Sequence, residues 1–189
     1  MAHGWMGAAC SGGALLLAVL GLALGVVRGV RGPARVVEIL GGSLMALSTA
    51  DMTIGLGALH PIAWVGAMLA LLVASLLVAA RSAPCARTDA AGHAGGYLVM
   101  AVMWSAMPFG GALEADGLRS SHLVHHAMTS WSFVLLAAAA AGAGALLAIA
   151  VARLRLGERR RAPSEWSHLV MAAGMLLMAA AMATGPSAG

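Results

Sequence analysis

Histidine and methionine side chains recur at fixed intervals in the last apolar stretch of this sequence. His168 is followed at offsets of 3, 7, 10 and 14 residues by Met171, Met175, Met178 and Met182. These offsets fall on one face of an α-helix, as in a heptad seam. Imidazole nitrogen and thioether sulfur are both ligands for soft transition-metal ions. The spacing therefore predicts a helix with a metal-binding face.

Two earlier stretches repeat the offsets 7, 10 and 14, one counted from His93 and the other from Glu38. The residues at these offsets are Met100, Met103 and Met107 in one stretch, and Met45, Ser48 and Met52 in the other. A glycine follows at offset 17 in all three stretches, at Gly55, Gly110 and Gly185. We interpret the pattern as a threefold internal repeat whose marked face carries sulfur.

The composition places the chain among membrane proteins. Hydrophobic residues make up 61% of the 189 residues and charged residues only 10%, and the mean hydropathy is +0.90. Both values are typical of chains that cross a bilayer. The sequence has no lysine, asparagine or glutamine, which indicates a GC-rich bacterial genome. Such a bias does not favour methionine, whose codon is AU-rich, so it does not explain the 13 methionines.

Six apolar runs are of a length that can span a membrane. They cover about 11–28, 36–57, 61–80, 93–111, 128–152 and 165–185. Ten of the eleven arginines lie in the connections after the first, third and fifth runs, and only Arg119 lies on the other side. The positive-inside rule then places both termini outside. The sequence predicts an all-α, multi-pass protein of the bacterial cytoplasmic (inner) membrane, with six transmembrane helices in an N-out/C-out topology.

The repeat divides this single membrane domain, residues 1–189, into three hairpins at about 11–57, 61–111 and 128–185. The second helix of each hairpin carries the polar head and the methionines, and all three run in the same direction. Equal offsets therefore lie at equal depth, and offset 14 lies about 21 Å above the head. The prediction is a column of methionine layers above an inner layer of Glu38, His93 and His168.

A second group of polar residues lies on the predicted outer side. Three histidines fall within five residues of the connection before the fifth run, and an aspartate lies beside Met52. Histidine is a common ligand for copper, and carboxylates attract cations. We predict an outer metal-capture group made of Asp51, His122, His125, His126 and Met128.

The methionine column suits Cu(I) best. Thioether sulfur is soft and uncharged, whereas Zn, Ca and Mg prefer nitrogen or oxygen ligands. Neutral ligands are also less costly than carboxylates in a membrane interior. Similar sites stacked in layers permit an ion to move from one to the next. The sequence predicts a membrane copper-binding protein that holds or conducts Cu(I) between its second, fourth and sixth helices, for uptake or storage.

In one respect the chain resembles the eukaryotic high-affinity copper transporter family, which lines a threefold pore with methionines of an MxxxM motif. This sequence has the motif at Met103–Met107, Met171–Met175 and Met178–Met182. The resemblance covers only the three methionine helices, and that family assembles its pore from three identical subunits. It implies Cu(I) passage by analogy. The whole chain also loosely resembles small His/Met-rich multi-pass actinobacterial membrane proteins of unknown function.

Other functions remain open at this point. His93 and His168, at equal depth on two helices, are also the pattern of a bis-histidine b-type haem in an electron-transfer subunit. Methionine at heptad spacing also packs cores, which would suit a non-catalytic assembly subunit of a larger membrane complex. The sequence has no phosphate-binding loop and no HExxH motif, so enzyme activity is not expected. The arginines serve topology, and no nucleic-acid partner is expected. A homo-oligomer is compatible with the sequence.

Overall fold

The computed structural model describes residues 2–27, 33–54, 59–107, 121–155 and 162–183, and these residues form a bundle of α-helices. The helices in chain order are α1 (Ala2–Val27), α2 (Pro33–Ile54), α3 (Pro61–Arg81), α4 (Pro84–Ala106), α5 (Ser121–Arg155) and α6 (Ala162–Ala183). Within these ranges the predicted all-α class is confirmed, and six helices are present.

Proline marks the start of three helices and corrects one predicted boundary. α2, α3 and α4 each begin at a proline, a residue favoured in the first turn because no partner exists there for a backbone N–H. α4 begins at Pro84, nine residues before the apolar run predicted at 93–111. Hydropathy missed this part because it contains the polar residues Arg87, Thr88 and Asp89. His93 therefore lies in the third turn, and Met107 is the extended C-cap residue just beyond the helix.

Three helices contain stretches long and apolar enough to cross a membrane. These stretches are Pro61–Arg81, Trp131–Arg155 and Trp166–Ala183, with mean hydropathies of 2.5, 2.4 and 1.6. A shorter apolar stretch, Ala9–Leu24, lies in α1. α2 and α4 carry charged and hydroxyl side chains within their length, which lowers their hydropathy. These polar side chains belong to the site described below.

The helices pack as a ring. α1 packs against α2 and α6, α5 packs against α6 and α4, and α3 packs against α4 and more lightly against α2. α4 also contacts α6 and α2 across the middle of the ring. Each odd-numbered helix thus packs against the even-numbered helix that follows it, as short connections between neighbouring helices favour. The three helices that carry the repeated offsets are the ones that approach the centre.

Several polar side chains lie in the interior of the bundle, and many large apolar side chains lie on its surface. Ser48, Asp51, Ser75 and His168 are buried. Large apolar side chains point outward on all six helices, and the most exposed of these include Leu16, Ile62, Trp131 and Phe133. A water-soluble domain shows the opposite arrangement, because exposed apolar surface is costly in water.

Candidate functional site

The methionines predicted to bind metal are brought together in one cluster. Five of them are buried members of the core, namely Met45, Met100, Met103, Met175 and Met178. The remaining four are partly buried and pack against that core, namely Met52, Met107, Met171 and Met182. The side chains at offsets 7 and 10 are thus buried, and those at offset 14 are more exposed. Burial in a common cluster is compatible with both ligation and packing.

A layer at offset 3 was not predicted and is built around two glycines. The residues at this offset are Gly41, Gly96 and Met171. A Cβ atom on Gly96 would lie 2.8 Å from the Met171 methyl carbon and 3.0 Å from that of Met175. The glycine thus lets two thioether side chains of α6 lie directly against the backbone of α4. The sequence carried the signal, since two of the three repeats have glycine at this offset.

A cavity of about 60 Å³ lies among α1, α2, α4 and α6. Five methionines line it, namely Met45, Met100, Met171, Met175 and Met178. Its polar lining includes Glu38, His93 and Tyr97. We call it the methionine cavity. Thioethers from three helices and one imidazole therefore line a common space, and both are ligand types that bind soft cations.

Four ionisable side chains form a row at the inner end of the bundle, the end at which α2, α4 and α6 begin. Glu38 Oε1 lies 4.0 Å from His93 Nε2. The rings of His93 and His168 have centroids 4.6 Å apart and are tilted by 51°. His168 Nε2 lies 3.9 Å from Asp89 Oδ1. The predicted inner layer is thus assembled from three helices, with Asp89 as an additional member.

His168 is the most constrained residue of this row. It is only 6% exposed, and neither ring nitrogen has a hydrogen-bond partner. Its ring packs on the backbone of Gly92, where a Cβ atom would lie 2.8 Å from His168 Cε1. Buried polar nitrogens without partners are costly and are uncommon in native proteins. Within the described ranges, however, no three His, Cys, Asp or Glu side chains converge on one point, so thioethers would have to complete a metal site there.

Two tryptophans organise the opposite half of the bundle. Trp64 Nε1 donates a hydrogen bond to Asp51 Oδ2 at 2.6 Å, and Trp104 Nε1 donates to Ser48 Oγ at 2.7 Å. The two indole rings are stacked, with centroids 5.7 Å apart and planes inclined by 16°. Asp51 is buried, whereas the sequence placed it at an open outer mouth. The residue that interrupts the methionine pattern, Ser48, is the hydrogen-bond acceptor for Trp104.

The other residues of the predicted outer metal-capture group belong to the first turns of α5. This helix begins at Ser121, so the backbone of all four is helical. Their side chains lie outside the described residues, and their predicted role stays a prediction. The residues are His122, His125, His126 and Met128.

Asp89 and Tyr97 were missed although their spacing carries a signal. Asp89, His93 and Tyr97 are four residues apart along α4 and therefore lie on one helical face. Tyr97 is buried, and its ring lies near that of His93, with centroids 6.4 Å apart and planes inclined by 22°. The aspartate falls outside the predicted apolar run 93–111, and for that reason the row was not recognised.

We expect Gly41→Ala to destabilise the bundle. A Cβ atom there would overlap the Tyr97 hydroxyl and would lie 2.6 Å from Tyr97 Cζ. Overpacking of this kind costs about 1–3 kcal/mol, and a thermal melt in detergent measures it. The matched control is Gly66→Ala on α3, where no atom lies within 4 Å of the added carbon. An unchanged melting temperature for Gly41→Ala would contradict the close contact.

Comparisons with known proteins add no further information about the site. No family model, no curated protein and no solved structure matches this chain. The functional argument therefore rests on the geometry and chemistry of the residues described above.

Proposed function

We propose that this protein is a membrane copper-binding protein that holds or conducts Cu(I) between α2, α4 and α6, for uptake or storage. The observation that carries the proposal is the methionine cavity, where five thioethers from three helices surround one small space. The proposed role is that of a carrier or store and not of an enzyme. The proposed ion path runs from the outer side of the bundle to the row of Glu38, His93 and His168.

The proposed location is the bacterial cytoplasmic membrane, with six spans and both termini outside. Three long apolar stretches and the outward-facing apolar side chains support it. The polar side chains of α2 and α4 are compatible with a bilayer because polar groups that face the interior of a bundle avoid contact with lipid. The inner end of the bundle is the arginine-rich end, which the positive-inside rule assigns to the cytoplasm.

The choice of Cu(I) follows from the ligand chemistry. Thioethers bind soft monovalent ions and are poor ligands for Mg²⁺ and Ca²⁺. Among the residues that the structure describes, one histidine, His93, and one carboxylate, Glu38, line the same cavity. The ring nitrogens of His168, which lies next to His93, accept or donate no hydrogen bond and offer a further nitrogen donor at the inner end. The resemblance of the methionine layers to those of the eukaryotic copper transporters points to the same ion.

The geometry favours copper over the haem alternative. A metal bound by two axial imidazoles, each at about 2 Å, holds the ring centroids about 6 Å apart with the macrocycle between them. The centroids of His93 and His168 are 4.6 Å apart. Both rings fit better as neighbouring donors to one small ion.

The proposal is tested by loading the purified protein with Cu(I) in detergent under reducing conditions. We expect about one or more equivalents of copper to stay bound after desalting, and no Soret band in the absorption spectrum. A Soret band with iron would establish the haem alternative. Absence of both copper and haem would overturn the proposed function and leave the role of a packing or assembly subunit.

A further inference from the structure

Two cavities adjoin at the inner end of the bundle and share one wall. The second cavity has a volume of about 110 Å³ and lies among α2, α3 and α4. Its lining includes oxygen-bearing side chains from all three helices, namely Glu38, Ser75, Ser82 and Asp89. We call it the acidic cavity. Glu38, His93 and Tyr97 line both this space and the methionine cavity, so these three side chains separate the two.

Tyr97 is the most buried of the three side chains that form this wall. It is 1% exposed, and its hydroxyl lies against the backbone of α2 at Gly41, in the space that a Cβ atom would fill. The ring also lies beside that of His93. The side chain therefore reaches from α4 to α2 across the boundary between the cavities. Its removal would open the wall between the two spaces, because Glu38 and His93, the other two side chains that line both, are smaller.

The two cavities differ in the cations they suit. The methionine cavity offers soft sulfur ligands, whereas the acidic cavity offers carboxylate and hydroxyl oxygens, which bind Cu(I) weakly. The acidic cavity is formed by the last turns of α3 and the first turns of α2 and α4. It is also large enough for water. An ion that reaches it is attracted by negative charge and meets His93 as a nitrogen donor, but it meets none of the five thioethers that line the methionine cavity, so it is held less strongly there.

We propose that Cu(I) passes between the methionine cavity and the inner end of the bundle through the acidic cavity, and that Tyr97 is the barrier on this route. The inference rests on the proposed function. It makes the acidic cavity a place of release, from which a thiolate-bearing acceptor can take the ion. Tyr97 acts here as a positioning residue that controls the rate of exchange, and it need not contribute to the affinity.

The first test measures how fast a water-soluble Cu(I) chelator removes copper from the loaded protein. We expect Tyr97→Ala to release copper at least about tenfold faster, which corresponds to a barrier lowered by about 1.4 kcal/mol. The number of copper ions bound per protein should be unchanged. Tyr97→Phe keeps the ring and should stay within about twofold of wild type, less than 0.5 kcal/mol by the same relation. If Tyr97→Ala does not load copper, Tyr97→Leu provides the same measurement with less lost volume.

The second test leaves Tyr97 in place and adds a soft ligand to the proposed route. Ser75→Cys, made in a Cys10→Ala/Cys85→Ala background, places a thiol at the acidic cavity, because Ser75 lines it and is buried. A thiolate binds Cu(I) strongly, so we expect release to the chelator to slow by about tenfold or more. The matched control is Leu76→Cys in the same background, one residue away on the exposed face, where release should be unchanged.

The outcomes separate the route from the function. A wild-type protein that binds no copper would overturn the proposed function and the route together. A wild-type protein that binds copper, but whose release rate responds neither to Tyr97→Ala nor to Ser75→Cys, would overturn the route alone. Equal slowing by Ser75→Cys and Leu76→Cys would also overturn it, because the effect would then not depend on the acidic cavity.

Discussion

The double variant Met100→Leu/Met175→Leu is expected to lose Cu(I) binding while the protein remains folded. Met100 and Met175 are buried on α4 and α6, and both line the methionine cavity. Leucine fills a similar volume but offers no donor atom, and exchanges between leucine and methionine in cores cost less than about 1.5 kcal/mol each. Loss of two direct ligands should weaken binding by at least about 100-fold, since loss of outer-shell partners alone costs 10–100-fold.

The measurement is a competition titration of Cu(I) against a chelator of known affinity, together with a melting curve of the copper-free protein. Met68→Leu is the matched control, because Met68 is fully buried on α3 and does not line the methionine cavity. This control should bind copper as wild type does. If the double variant and Met68→Leu bind equally well, then the methionines of the repeat serve packing only.

The matched offsets of the repeat predicted more of the interior than any single motif could. Met45, Met100 and Met175 share offset 7, and all three are buried in one cluster. This follows because helices that run in the same direction through a bundle place equal offsets at equal depth. Glu38, His93 and His168 likewise form one row, although they are far apart in the chain. The shared offsets of the three repeats thus predicted which residues lie together in the interior.

The features that were missed depend on contacts that spacing does not encode. Trp104 donates to Ser48, 56 residues away in the chain, and no local pattern specifies that pair. The burial of Asp51 likewise depends on an indole donor from a different helix. The early start of α4 was missed for another reason, since hydropathy reports apolar runs and the first turns of that helix are polar. Asp89 was not predicted for the same reason, and the acidic cavity that it lines was therefore not predicted either.

We expect Asp51→Ala to lower the stability of the bundle more than Asp51→Asn does. Alanine would leave the buried indole N–H of Trp64 without the carboxylate oxygen that accepts its hydrogen bond, and an unsatisfied buried donor costs about 1–3 kcal/mol. Asparagine retains an acceptor oxygen at the same place. In a domain of this size the melting temperature changes by about 2–4 °C per kcal/mol, so a melt in detergent distinguishes the two variants.

A double-mutant cycle assigns the loss to this hydrogen bond. If Asp51 and Trp64 act through their contact, then Asp51→Ala/Trp64→Phe should be less destabilised than the sum of the two single variants. Additive losses would contradict this explanation.

The same variants also test the outer metal-capture group. A structural Asp51 predicts that Asp51→Asn loads copper normally even at low concentration, whereas a capture ligand predicts weaker loading at low copper and recovery at high copper. A residue that accepts a hydrogen bond from Trp64 inside the bundle holds α2 and α3 together. Its substitution should therefore change the melting temperature and leave copper loading unchanged.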